Sequence, residues 1–185
     1  MASKIKVDQI QTADGTGTIA LQNQLSGMTT ASLPTLTSAQ MPAGHIVQIV
    51  HSSTDTKVDM SSTTHVDTGL TATITPTSSS NKILVSVHQN GLHKHNNHTN
   101  NDMTIYILRG STNIAHIAKF AGFTQSSSHL YLGTVSAEML DSPSTTSAIT
   151  YKTTFANPDG GGGGGTITVQ EALARSTITL TEIKQ

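Results

Sequence analysis

Short runs of alternating apolar and polar residues recur along most of the chain. In residues 82–90 the apolar side chains Ile83, Val85 and Val87 occupy every second position. A period of two puts alternate side chains on one face of a strand, so such runs predict β-strands with one buried face. The predicted strands cover residues 45–51, 71–77, 82–90, 103–110, 113–120, 129–140, 145–155 and 175–184.

The segments between these runs are rich in residues that form turns. DTG, TSSSN, RGST and DSPS supply Gly, Asn, Asp, Ser and Pro where antiparallel strands reverse direction. About eight strands at near-regular spacing are typical of an antiparallel β-sandwich or a jelly roll. Pro76 has no N–H for a sheet, so its strand is expected to end there or to lie at an edge. Residues 170–175 (QEALAR) have mild helix preference but are too few to change the class.

The composition favours the same fold class. The chain has 185 residues, of which 21 are Ser and 31 are Thr, while 35% are hydrophobic and 11% are charged. Branched threonine suits a pleated strand better than a helix, because two heavy atoms on Cβ restrict χ1. We therefore predict an all-β protein whose main domain, residues 44–185, is an antiparallel β-sandwich.

The first 43 residues have a different character. Two short apolar clusters flank the turn sequence Asp14-Gly15, and strands of this size do not fold alone. Residues 1–21 are therefore interpreted as an extended segment that attaches to a larger assembly. Residues 22–43 contain two prolines and many Ser and Thr residues without a sustained period, which indicates a linker. The candidate attachment residues are Ile5, Val7, Ile10, Ile19 and Leu21.

The charge and the motif content argue against several classes of protein. The net charge is −1 and the ten Lys and Arg residues are scattered, so no nucleic-acid partner is expected. No apolar stretch approaches the length of a membrane span, so no membrane insertion is expected. There is no cysteine, no G-x-S-x-G elbow and no Walker loop, and no two carboxylates alternate along one predicted strand. We expect no enzymatic activity and assign no catalytic residue.

Histidine is concentrated in residues 88–98, HQNGLHKHNNH. His93 and His95 are two apart, so their imidazoles point the same way in an extended segment. Two imidazoles do not complete a metal coordination sphere, but three chains meeting at a three-fold axis would triple the ligand number. The Asn-rich surroundings favour a polar hairpin tip with solvated histidines, so we predict no cofactor, with a shared metal ion as the alternative. The candidate ligands are His93, His95 and His98.

Three predicted loops form a candidate display surface: the hairpin 88–101, the loop 121–129 and the six consecutive glycines 160–165. Ordering six glycines costs much conformational entropy, which favours a mobile loop over a polyglycine surface packed against a partner. The candidate display residues are Asn96, Asn97, Gln125 and Gly162.

Three stretches of the sequence carry a resemblance. They are the opening SKIKVDQIQTADGTGTI, the run from AGHIVQIVHSST through HVDTGLTATITPTSSSNKILVSVHQNG to ILRGSTNI, and the closing GGGTITVQEALARSTITLTEIKQ. Together they resemble fibre and virion structural proteins of tailed phages, including phages of marine bacteria. The resemblance implies a short homotrimeric fibre or knob, made in the host cytoplasm and assembled onto the virion. It also implies that the N-terminal segment binds other virion proteins and that the sandwich contacts a host polysaccharide or receptor.

The resemblance leaves the position on the particle open. A head fibre, a capsid decoration protein that stabilises the head, or a distal piece joined to another fibre protein suits the short chain equally well. In some phage long tail fibres, His-x-His motifs from three chains hold iron, a role that the resemblance would give to His93 and His95. A carbohydrate-binding module is the less favoured alternative, because aromatic residues make up only 3% of the chain. Tyr106 and Tyr131 lie centrally in predicted strands and are assigned to the core.

Overall fold

A computed structural model describes residues 40–185. The predicted attachment segment 1–21, with Ile5, Val7, Ile10, Ile19 and Leu21, lies outside the described residues, as does most of the predicted linker 22–43. The strands are β1 (Ile46–Thr54), β2 (Val58–Met60), β3 (Val66–Ile74), β4 (Lys82–Lys94), β5 (Met103–Arg109), β6 (Thr112–Ala121), β7 (Leu130–Asp141), β8 (Ile149–Ala156), β9 (Ile167–Val169) and β10 (Ser176–Ile183). Beyond Gln40, which is itself in 3-10 conformation, helical structure within residues 40–185 is limited to two single 3-10 turns, Gly161–Gly163 and Glu171–Leu173.

These strands form two antiparallel sheets. The first sheet is built around the long strand β4, which pairs with β7 on one edge. On its other edge β4 pairs first with β10 and then with β9, and β1 and β2 extend the sheet beyond these two strands. The second sheet has the order β3-β8-β5-β6. The predicted all-β fold, an antiparallel sandwich, is confirmed.

The core lies between the two sheets and follows the period-two pattern. Ile83, Val85 and Val87 are fully buried, and so are Ile178 and Leu180 of the neighbouring strand β10. A second buried cluster, nearer the far end of β4, joins both sheets and contains Met60, Leu92, Met103, Ile105, Phe155, Ile167 and Val169. Alternate residues of each central strand thus supply the apolar contacts that hold the sheets together.

All eight predicted strands are present, but two more were missed. Strands β2 and β9 have three residues each, which is too short for a period to be recognised. Strand β3 begins at Val66, five residues before its predicted start, and ends at Ile74. It is an edge strand that stops before Pro76, so both consequences expected of this proline are found. Residues 170–175 contain only the 3-10 turn Glu171–Leu173.

The sandwich has two distinct ends. At one end, here called the terminal end, the backbone N–H of Lys184 donates to the carbonyl of His45, and Ile183 pairs with both Ile46 and Lys82. At the other end, here called the loop end, the loops 95–102, 122–129 and 157–166 follow or precede the strand termini around Lys94. The 13 residues of β4 separate the two ends by roughly 40 Å.

Candidate functional site

A bulge in β4 determines which face its histidines occupy. Continued alternation from Val87 would place His93 on the core face of the sheet. Gly91 is an extra residue, because Asn90 pairs with Thr134 whereas Leu92 pairs with Gly133. An inserted residue moves all later side chains to the opposite face. Leu92 therefore enters the core, and His93 turns to the outer face.

Strand β7 makes a matching adjustment. Leu132 is an extra residue on its side, since Gly133 pairs with Leu92 and Tyr131 pairs with His93. The two strands thus change faces together and stay paired. Tyr131 then lies on the outer face, where its ring stacks on His93 with centroids 4.3 Å apart and planes 4° apart. Tyr131 is 71% exposed, so its assignment to the core was wrong.

Three histidines meet on this outer face. The rings of His93 and His95 have centroids 4.3 Å apart, which agrees with the expected common direction of the two side chains. His129, at the end of the loop before β7, brings its Nδ1 to 3.1 Å from Nε2 of His93. One ring nitrogen from each of the three lies within 4.8 Å of the others. We call His93, His95 and His129 the histidine cluster.

The third predicted ligand, His98, lies apart from this cluster. Its Nδ1 accepts a hydrogen bond from the backbone N–H of Asn100, and its ring lies against Gly163. The structure therefore replaces His98 with His129 in the set of neighbouring imidazoles. The sequence signal for His129 was weak, because 36 positions separate it from His93 and only the strand pairing of β4 with β7 brings them together.

Two carboxylates border the histidine cluster. Nδ1 of His93 lies 3.8 Å from Oε2 of Glu171, and this nitrogen is buried without a hydrogen-bond partner. The same Glu171 oxygen makes an ion pair with Lys57 at 3.1 Å, although without hydrogen-bond geometry. On the other side, Nε2 of His95 is 2.7 Å from the hydroxyl of Thr168, which donates its proton to Asp59. The histidine and carboxylate side chains are therefore held in a defined arrangement.

His93 is the buried member of the cluster, with only 3% of its surface exposed. Burial lowers the pKa of His93, and the neighbouring His95 lowers it further, while the Glu171 carboxylate opposes both effects. Both leading causes disfavour the imidazolium form. The neutral imidazole, which carries the lone pair that binds a cation, is therefore favoured near neutral pH.

The residue between the two cluster histidines has a structural role. Lys94 is 1% exposed, and its ammonium donates to the carbonyls of Thr99 and Ser126 and to the hydroxyl of Thr124. Burial lowers the pKa of Lys94, and the nearby Asp102 carboxylate opposes this effect. The prediction of a solvated hairpin tip at residues 88–101 was therefore wrong, since β4 runs to Lys94 and only residues 95–102 form a loop.

The glycine run makes close contacts within the chain. A Cβ atom at Gly160 or Gly165 would collide with Asn101, and one at Gly163 would collide with His98. Asn157 donates to the side chain of Asn101 and to the carbonyl of Gly165, both at 2.9 Å. The run thus packs on the 95–102 loop of the same chain. The sequence had suggested either a mobile loop or a surface packed against a partner, and neither of these includes such a contact. The candidate display residues Asn96, Asn97, Gln125 and Gly162 are all exposed at the loop end.

A shallow cavity of about 330 Å³ lies on the outer face of the second sheet. Tyr106, which was also assigned to the core, lies there on the outer face: the His65 ring stacks on it at 3.8 Å, and the His116 ring lies 4.1 Å away, tilted by 41°. Phe120, which is half exposed, is a further ring that lines the cavity. Because His65 and His116 flank the Tyr106 ring, Phe120 is the ring left to contact the apolar face of a sugar, with polar groups such as Asp159 beside it.

Comparison of the sequence with protein-family models and with curated proteins finds no match in either. Within residues 40–185 no helix is long and apolar enough to cross a membrane.

Proposed function

We propose that this chain is a non-enzymatic structural protein of a tailed-phage particle, a short homotrimeric fibre or knob that contacts the host surface. The observation that carries the proposal is the separation of the two ends of the sandwich. Residues 40–45 enter at the terminal end, whereas all the candidate display residues lie at the loop end, roughly 40 Å away. A domain tethered through its N-terminal segment would therefore present these loops away from the particle.

An apolar row on the first sheet supports association between chains. Ile49, Thr181, Leu84 and Leu140 are directly paired across β1, β10, β4 and β7. Ile49 is 59% exposed and Leu140 is 51% exposed, so the outer face of the sheet presents apolar surface to solvent. Exposed apolar surface of this kind marks interfaces. Among the described residues, β1 and β7 also have one edge each without a paired strand, and these edges are further sites for pairing. We assign this row to the trimer interface.

The trimer is tested first by solution mass. The full-length protein is expected to have a mass near three times 19.4 kDa in size exclusion with light scattering. Leu140→Lys is expected to shift the mass towards that of a monomer, because it places a charge in the buried interface. Thr73→Lys, on the outer face of the second sheet, is the matched control and should stay trimeric. A monomeric parent protein would contradict the trimer and favour a decoration protein that is ordered on the capsid.

Attachment is tested by deletion. Removing residues 1–21 is expected to abolish incorporation into particles while the sandwich still folds, because both buried clusters lie within residues 60–180. Incorporation is measured by immunoblotting of purified particles, and folding by circular dichroism. Removing about half of the linker 22–43 is the control and should preserve incorporation. Normal incorporation of the 1–21 deletion would overturn the attachment role.

The cavity beside Tyr106 suggests where a host polysaccharide would bind. It lies on the side of the sandwich opposite the apolar row and close to the loop end, since Thr63 and Asp159 also line it. A trimer formed through the first sheet would therefore leave this cavity accessible. The proposed host contact thus includes the cavity as well as the display loops.

A further inference from the structure

We propose that His93, His95 and His129 of a single chain bind one divalent transition-metal ion. The three imidazoles converge on the outer face of the first sheet without help from a second chain. This site differs from a shared ion at a three-fold axis both in its ligands and in its stoichiometry. It does not depend on where the protein resides, so it goes beyond the structural role proposed above.

The spacing of the nitrogens is close to that of a bound metal. Two imidazole nitrogens on one tetrahedral zinc ion are about 3.3 Å apart, given Zn–N bonds of about 2.0 Å. Nε2 of His93 and Nδ1 of His129 are 3.1 Å apart. His129 is exposed, so its side chain has room to move towards His95, one ring nitrogen of which lies within 4.8 Å of the nitrogens of the other two histidines. Closing the coordination sphere therefore requires a movement of side chains.

The surroundings of His93 provide the second argument. Its Nε2 faces His129, while its buried and unpartnered Nδ1 faces Glu171 at 3.8 Å. A metal-bound histidine usually donates its other N–H to a carboxylate, which fixes the tautomer and strengthens the ligand. Coordination through Nε2 would place the proton on Nδ1, directed at Glu171. Glu171 is then a positioning residue of the site.

The ligand set selects the class of metal. Three imidazole ligands favour Zn²⁺ and its neighbours Co²⁺, Ni²⁺ and Cu²⁺ over Mg²⁺ and Ca²⁺, which prefer oxygen ligands. Three protein ligands leave a fourth tetrahedral position for water. The ion would also join the end of β4 to His129, and so fix the 122–129 loop that carries Gln125. Metal binding would thereby stiffen part of the loop end.

The test is calorimetric titration of Zn²⁺ into the full-length protein, made without a polyhistidine tag and stripped with a chelator. We expect one ion per chain and a rise in the thermal unfolding midpoint, because the ion binds only the folded arrangement. His129→Ala removes an exposed ligand at little risk to folding and is expected to abolish both effects. His98→Ala is the matched control, because it removes a nearby histidine outside the cluster and should leave both effects intact.

A second variant tests the positioning role. Glu171→Gln is expected to keep one ion per chain but to weaken binding about 10- to 100-fold, as for other outer partners of metal-bound histidines. Either of two results would overturn the proposal: no binding by the parent protein, or binding that His129→Ala leaves unchanged. A stoichiometry of one ion per three chains would also overturn it, in favour of a shared axial site. None of these results depends on particle assembly, so this proposal and the structural role can fail separately.

Discussion

Replacing Gly91 with alanine is expected to destabilise the protein strongly and to displace the turn that carries Glu171. Gly91 has a φ of 62°, in the left-handed region, where a side chain costs roughly 1–2 kcal/mol. An added Cβ would also lie 2.5 Å from the backbone nitrogen of Glu171 and 2.8 Å from its carbonyl oxygen. Backbone atoms cannot rotate away as a flexible side chain can, so the turn itself must move. Urea unfolding at pH 7 measures the total loss of stability.

The chain offers a control that separates the two causes. Gly110 has a φ of 58°, and a Cβ added there would meet no atom within 4 Å. Gly110→Ala should therefore cost only the backbone conformation, roughly 1–2 kcal/mol. We expect Gly91→Ala to lower the free energy of unfolding by at least about twice that amount. Equal losses in the two variants would show that the close approach to Glu171 contributes nothing to stability.

The strands of the central core could be predicted because their burial pattern depends only on residues that are neighbours in the sequence. Ile83, Val85 and Val87 occupy alternate positions, and burial of one face follows directly from that period. The three-residue strand β9 could not be recognised in this way. Its place is set by pairing with the end of β4, where His93 lies opposite Thr168, a contact between residues distant in the sequence.

The candidate site was predicted only in part. The alignment of His93 and His95 required nothing more than an extended backbone, whereas the face they occupy depends on the bulges at Gly91 and Leu132. An Asn-Gly pair in a strand is read locally as a turn, which is why residues 88–101 were interpreted as a hairpin tip. Here the pairing of β4 with β7 outweighs the local preference of Asn-Gly for a turn. The same pairing places His129 beside His93.

The buried polar groups around Lys94 show a further limit of local reasoning. A lysine within an Asn- and His-rich segment is ordinarily assigned to the surface. Its burial is compensated by hydrogen bonds to Thr99, Thr124 and Ser126, two of which come from a loop that follows some 30 residues later. Composition cannot reveal such partners, because they are defined only once both sheets are assembled.

Glu182 supports the terminal end of the sandwich in a comparable way. Its fully buried carboxylate accepts hydrogen bonds from the backbone N–H and hydroxyl of Thr77 and from the amides of Asn81 and Gln48, at 2.6–2.8 Å. These bonds tie β10 to β1 and to the turn between β3 and β4. Burial alone would raise the pKa of Glu182, but the hydrogen bonds from Asn81, Gln48 and Thr77 outweigh it and hold the pKa below 4.5.

Replacing Glu182 with glutamine is therefore expected to cost about 2 kcal/mol or more at pH 7, because bonds to a charged acceptor become bonds to a neutral one. Since the folded-state pKa is depressed, the carboxylate stabilises the fold fully above pH 4.5, and this contribution is lost as the pH falls through the folded-state value. The difference between parent and variant, measured by urea unfolding, should thus shrink below pH 4.5. Glu138→Gln, at an exposed carboxylate with one hydrogen bond from Ser86, should change stability by less than about 0.5 kcal/mol. A difference that stays constant from pH 7 to pH 3 would show that the charge of Glu182 does not stabilise the terminal end.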